Sequence, residues 1–172
     1  MPTLNLYPPH PKQQRFLDLC NRRKDGINWA HAVFGRGGGK TAAVVYWLFV
    51  SCTTFNRGLP HLWTSPTYRD CIDTFMRTWV EIIPHEYYTF NKGDMVLTLP
   101  GGAVIDVRSR QIDNTKKDPF RGPTYAAAFM DEPAKDKNKR AWDLIHATVR
   151  HPRAGQKFIA TTTTPRMGWY HD

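Results

Sequence analysis

The sequence predicts an α/β fold: a mainly parallel β-sheet sandwiched by helices, with an added β-hairpin. Three observations predict it. Short apolar segments alternate with longer stretches whose apolar residues recur at helical spacing, as in strands joined by crossover helices. Two of the short segments, residues 30–34 and 126–130, run straight into a glycine cluster and a pair of carboxylates, respectively. A Pro100-Gly101-Gly102 turn separates two short segments of strand character.

Taken in order, residues 1–11 carry Pro2, Pro8, Pro9 and Pro11 and read as an extended arm. A helix follows over 12–23, with Phe16, Leu17, Leu19 and Cys20 on its inner side, ended by Asp25-Gly26. A first strand covers 29–33. The helix over 41–50 is apolar on nearly every face, which predicts burial. Residues 61–65 form a second strand. After Pro66, the residues Ile72, Phe75, Met76, Trp79, Ile82 and Ile83 recur at helical spacing until Pro84 stops the helix. Met95, Leu97 and Leu99 alternate with Val96 and Thr98, and after the turn residues 103–107 return as a strand. Residues 108–123 are a charged connection of functional-loop length. An apolar strand over 124–130, a helix over 137–150 built on Trp142, Ile145 and Val149, and a last strand over 157–162 complete the pattern.

A chain of 172 residues holds one sizeable core rather than two. It reads as a single domain over 1–172, with the arm and first helix in 1–26 and the core in 27–172. The formal charge of +9 points to a polyanionic partner such as nucleic acid. Cys20, Cys52 and Cys71 are odd in number and widely spaced, which excludes a zinc or redox pair and suggests a reducing compartment. The seven histidines form no metal-binding pattern and read as solvated surface. The longest apolar run, 42–50, is far short of the roughly 20 residues of a membrane span.

Chemistry concentrates at two places. Gly35, Arg36, Gly37, Gly38, Gly39, Lys40 and Thr41 stand where strand turns to helix. Glycines let successive backbone N–H groups converge on one phosphate, and the helix start adds partial positive charge. Lys40 is placed to neutralise the outer phosphates of ATP, and Thr41 to offer a hydroxyl to Mg²⁺. The general pattern puts its first glycine where this chain has Phe34. The second place is Asp131-Glu132, at the carboxyl end of an apolar strand, where open α/β sheets bind ligands. Asp131 is suited to hold Mg²⁺ and Glu132 to polarise the attacking water. Together the two motifs predict a P-loop NTPase of the ASCE, RecA-like type, and an ATPase.

On these residues the sequence resembles the large terminase subunits of tailed double-stranded DNA bacteriophages. Their shortened loop, Gly/Ser-Arg-x-x-Gly-Lys-Thr/Ser, is matched by the run from Gly35 to Thr41, so the displaced glycine becomes a family trait. Asp131-Glu132 resembles the family's second motif. Thr161-Thr162-Thr163-Thr164-Pro165 resembles its third, and the resemblance implies that Thr163 and Thr164 couple hydrolysis to movement. Gln13 is similar to the family's adenine-reading glutamine, and Arg121-Gly122 to a pair kept before the second motif. The resemblance implies ATP and Mg²⁺ as cofactors. It implies double-stranded DNA, a portal protein and a small terminase subunit as partners, with a homo-oligomeric ring on the portal and no membrane. It also implies a host-cytoplasm location with transient docking on the procapsid. Relatives continue into a nuclease domain, absent from these residues, so no nuclease activity is expected of them alone.

An arginine near the γ-phosphate is expected to speed hydrolysis. Arg36 is the candidate acting within its own subunit and Arg121 the candidate reaching a neighbour, with Arg108 and Arg110 behind them. Lys135, Lys137, Lys139, Arg140, Arg150 and Arg153 form a basic segment that suits either DNA or plain solvation. A helicase-like translocase outside packaging, or a nucleotide-gated ring-assembly module with little turnover, fits the same two motifs.

Overall fold

The computed structural model describes residues 8–21, 26–33, 35, 37–111, 120, 122–137 and 139–163. Helix α1 (Pro11–Cys20) starts in a capping box: the His10 side chain accepts from the Gln13 backbone N–H, the Gln13 side chain accepts from the His10 N–H, and Pro11 occupies the first turn. Strand β1 (Ile27–Val33) leads into helix α2 (Lys40–Thr53), then strand β2 (Pro60–Ser65). A broken helix follows: α3 (Tyr68–Asp70), a π-helical stretch Cys71–Met76, and α4 (Arg77–Ile82). Strands β3 (Thr89–Asn91), β4 (Val96–Thr98) and β5 (Val104–Ser109) come next. Strand β6 (Ala127–Asp131), helix α5 (Arg140–Thr148) and strand β7 (Lys157–Thr163) complete the described chain.

The seven strands form one sheet in the order β1-β7-β6-β2-β5-β4-β3. The ladders from β1 to β5 are all parallel, and β4 and β3 are added antiparallel. The expected hairpin is therefore β4–β5, with β5 also serving as a parallel strand of the main sheet.

Alternate residues of each strand face opposite sides. One side presents Ala30, Ala32, Trp63, Phe129, Phe158 and Ala160 to α1, α2 and the broken helix. Trp47 meets Phe158 with ring centroids 4.6 Å apart, and Trp63 stacks on Phe75 at 4.2 Å. The other side presents Leu62, Ala128, Met130 and Ile159 to Ile145 and Val149 around α5, and Trp29 meets Trp142 edge-on at 4.9 Å.

Several expectations are corrected. Helix α1 ends at Cys20, capped by Asn21, whose N–H donates to the Leu17 and Leu19 carbonyls, and Leu19 is exposed. The amphipathic helix before Pro84 contains a π-helical turn, invisible in a hydrophobic pattern that tolerates one extra residue. Strand β3 leaves no signal in the sequence because it is short, with Thr89 and Asn91 exposed. Strand β5 runs on through Arg108 and Ser109, which the sequence assigns to the polar connection. His61 is buried rather than solvated. Its Nδ1–H donates to the Leu59 carbonyl at 2.9 Å, and its Nε2 lies 2.8 Å from Ser51 Oγ. Burial holds its pKa down at about 4, so the ring is neutral.

Candidate nucleotide site

The glycine loop leaves the carboxyl end of β1, and the acidic pair stands at the carboxyl end of β6. Because β1, β7 and β6 are adjacent and parallel, both lie at the same rim of the sheet. Val33 is level with Thr163, and Asp131 with Thr162. The two strand ends are two interstrand spacings apart, about 10 Å. They also share a face, since strand alternation puts Asp131 on the side of Ala127 and Phe129, against which α2 packs. A triphosphate-sized ligand can therefore touch both.

The loop is built for backbone donation. Gly37 and Gly39 have φ of 76° and 67°, conformations that glycine adopts without strain. A Cβ on Gly39 would lie 2.5 Å from Gln13 Nε2, so a side chain there would push the Gln13 carboxamide off the loop. Gly39 caps α2 without a side chain, leaving the first-turn N–H groups to an incoming anion. Lys40 donates from Nζ to the Gly35 carbonyl at 3.1 Å, across the mouth of the loop. Thr41 is the second residue of α2 and half-buried.

The N-terminus of α1 grips this loop from outside. Gln13 Nε2 donates to the Gly39 carbonyl at 2.9 Å while its Oε1 accepts from the His10 N–H at 3.0 Å. His10 Nε2 donates to the Gly38 carbonyl at 3.2 Å, and its Nδ1 accepts from the Gln13 N–H at 3.4 Å. Both carbonyls are thus turned toward α1. The Gln13 carboxamide is set against the loop, and His10 shares the contact; no sequence motif pointed to the histidine.

At the acidic strand end, Asp131 is buried, and Thr162 Oγ1 donates to its Oδ1 at 3.0 Å. Burial is the main reason that the Asp131 pKa is pushed up to about 6; the neighbouring Glu132 charge adds to this, and the Thr162 hydrogen bond, Arg110 and Lys135 oppose it. Glu132 has φ 48° and ψ 53°, in the left-handed region. Its Oε2 accepts from Thr163 Oγ1 at 3.3 Å. The buried Asp131 carboxylate and the Thr41 hydroxyl at the start of α2, at the same rim, are hard oxygen donors, the kind that suits Mg²⁺.

The structure thus brings together Gln13, Gly35, Gly37, Gly38, Gly39, Lys40, Thr41, Asp131, Glu132 and Thr163 at one rim. Arg36, Arg121 and Thr164 lie outside the described residues. Arg110 is corrected as an understudy for the arginine near the γ-phosphate: its side chain is only 1% exposed and is paired with Asp136 at 2.8 Å. Arg108 is partly exposed, 3.7 Å from Asp106. Nothing in the sequence singles out Thr162, because only the β6–β7 register shows that it, rather than Thr163, faces Asp131. Lys135, Lys137, Lys139, Arg140, Arg150 and Arg153 are all exposed.

The family model for the N-terminal part of the T4-like-virus type of terminase large subunit matches residues 32–172. Among curated proteins, no sequence matches. The large terminase of bacteriophage HK97 is similar in structure, with a TM-score of 0.71 at 14% identity over 90% of this chain and 33% of that one. The large terminase of a thermophilic bacteriophage in complex with ADP gives 0.66 at 18% identity, over 90% of this chain and 39% of that one. The large terminase ATPase domain of Thermus phage P74-26 gives 0.65 at 17% identity, over 96% and 68%. At these identities the likeness establishes the fold. The chain spans about a third of the HK97 protein.

Proposed function

Because the chain belongs to the terminase large-subunit family of the T4-like-virus type, in its N-terminal part, we propose that it is the ATP-hydrolysing motor domain of a viral DNA-packaging machine. In this reading it couples Mg-ATP hydrolysis to the translocation of double-stranded DNA into a procapsid. The observation that carries the reading is the placement of Lys40 and Asp131 on one rim and one face of the sheet. The ADP and ATP-γ-S complexes of the thermophilic bacteriophage's terminase support nucleotide as the ligand.

The residues divide the work. The amides of Gly37, Gly38, Gly39, Lys40 and Thr41 hold the phosphates, and Lys40 exchanges the Gly35 carbonyl for the outer phosphate oxygens. Thr41 and Asp131 hold Mg²⁺, which when bound neutralises charge between the phosphates. Glu132 accepts a hydrogen bond from the attacking water and orients it in line with the outermost phosphorus. Arg36 in the same subunit and Arg121 from a neighbour stabilise the charge that develops there. Gln13 reads the adenine from the α1 side. Thr163 and Thr164 pass the state of the site to the moving parts.

In this reading DNA is held through its phosphates by exposed lysines and arginines, so binding weakens steeply with salt. The portal protein, the small terminase subunit and further copies in a ring are the protein partners, and the host cytoplasm is the site of action. The test pairs two variants. Lys40→Ala is expected to lose nucleotide affinity, and Glu132→Gln to keep it while losing hydrolysis. Wild-type affinity and turnover in both would overturn the reading.

A further inference from the structure

Glu132 is a non-glycine residue held in the left-handed region, where its Cβ crowds the following carbonyl oxygen. Its conformation is dictated by the two peptide planes that flank its Cα, and both are gripped. In the Asp131–Glu132 peptide, the N–H donates to the Thr162 carbonyl at 2.7 Å, and the carbonyl accepts from Arg110 Nη2 at 2.6 Å. The next carbonyl, that of Glu132, accepts from the Lys135 N–H at 3.0 Å and from Arg110 Nη2 at 3.3 Å.

Arg110 is the common element. Its Nε donates to Asp136 Oδ2 at 2.8 Å and its Nη2 to Asp136 Oδ1 at 3.2 Å, a two-point fork. Its Nη1 donates to the Thr64 carbonyl at 3.0 Å and the Thr64 hydroxyl at 3.2 Å, at the end of β2. All three guanidinium nitrogens are thus engaged, out of water. A buried guanidinium is strongly destabilising unless its hydrogen bonds are met. Here they are met by the Asp136 carboxylate, by Thr64, and by the two carbonyls of the acidic pair.

We propose that Arg110 is a positioning residue for Glu132. Its guanidinium ties the end of β6 to the end of β2 and fixes both peptides around Glu132, so the carboxylate is launched toward Thr163 and the rim of the site. Arg110 touches no reacting atom; it acts through the direction of one Cα–Cβ bond. The inference rests on the reading of Glu132 as the group that orients water.

The test is Arg110→Lys in the full chain, by single-turnover phosphate release and by titration with a fluorescent nucleotide. Lysine keeps the charge but not the fork. Nucleotide affinity is expected to stay within about 2-fold while hydrolysis falls about 10- to 100-fold, the scale of a misplaced catalytic group. In a Glu132→Gln background, Arg110→Lys is expected to cause no further loss, because nothing remains to position. Should Arg110→Lys fail to fold, Asp136→Asn loosens the same fork and carries the same pair of measurements. Wild-type hydrolysis, an equal loss of affinity and rate, or additive losses in the Glu132→Gln background would each overturn the role of Arg110. Near-normal turnover in Glu132→Gln alone would remove the reading of Glu132 itself, a different result from any of these.

Discussion

Thr162 donates its hydroxyl hydrogen to Asp131 Oδ1 over 3.0 Å, from the position directly across the β7–β6 ladder. One residue later Thr163 reaches Glu132 Oε2 at 3.3 Å. Consecutive residues of β7 therefore address the two carboxylates separately. Thr162→Val removes a hydrogen bond to a buried charge, so affinity for Mg-nucleotide is expected to fall about 10-fold. Thr163→Val is expected to leave that affinity unchanged and to lower the DNA moved per ATP hydrolysed. Nucleotide titration and a packaging assay on both variants check this; identical profiles would contradict the division.

Glu132→Gln preserves shape and removes the carboxylate proposed to orient the water. Hydrolysis is expected to drop at least ~100-fold with nucleotide still bound. Phosphate release and equilibrium binding measured on one preparation decide it.

Asp131 is costly to the nucleotide-free fold. Its folded pKa of about 6 lies above the ordinary value of 3.8, so burial of the ionised form destabilises the protein at neutral pH. The contribution of this group is most favourable below about pH 4 and is lost as pH rises through 6. Asp131→Asn is accordingly expected to raise nucleotide-free stability at pH 7 by about 2 kcal/mol, while abolishing Mg²⁺-dependent binding. The gain should shrink as pH falls toward 4. Thermal melts of both proteins from pH 4 to 7.5 provide the measurement, and a gain that does not vary with pH would count against it.

Lys40→Ala deletes the only side-chain charge contributed by the start of α2. Nucleotide affinity is expected to fall by at least ~10-fold. Mixed with Arg121→Ala subunits, it also tests action between neighbours. Recovery of ATPase activity in the mixture supports Arg121 reaching across; silence at every ratio, with active wild type, removes it.

Much of the molecule was legible in the chain because the signals are local. Glycines followed by Lys40-Thr41, an apolar run ending in Asp131-Glu132, and the threonine run along β7 each declare a strand end by composition alone. Less was legible where the determinant lies far away in sequence. His61 reads as an ordinary surface histidine until α2 folds over β2 and sets Ser51 beside it. Arg110 reads as one more charge on a polar connection, although its partners come from β2, the end of β6 and Asp136.

The sequence by itself determined the elements, the alternation of strands and helices, and the two chemical motifs, since hydrophobic period and turn chemistry act over a few residues. Only the tertiary structure decided that β7 lies between β1 and β6, that Thr162 rather than its neighbour meets Asp131, and that α1 turns Gln13 and His10 onto the glycine loop. Strand order and register are set by pairing between segments more than 100 residues apart, such as β1 with β7. A one-residue slip there would leave every local pattern intact while turning each side chain to the opposite face.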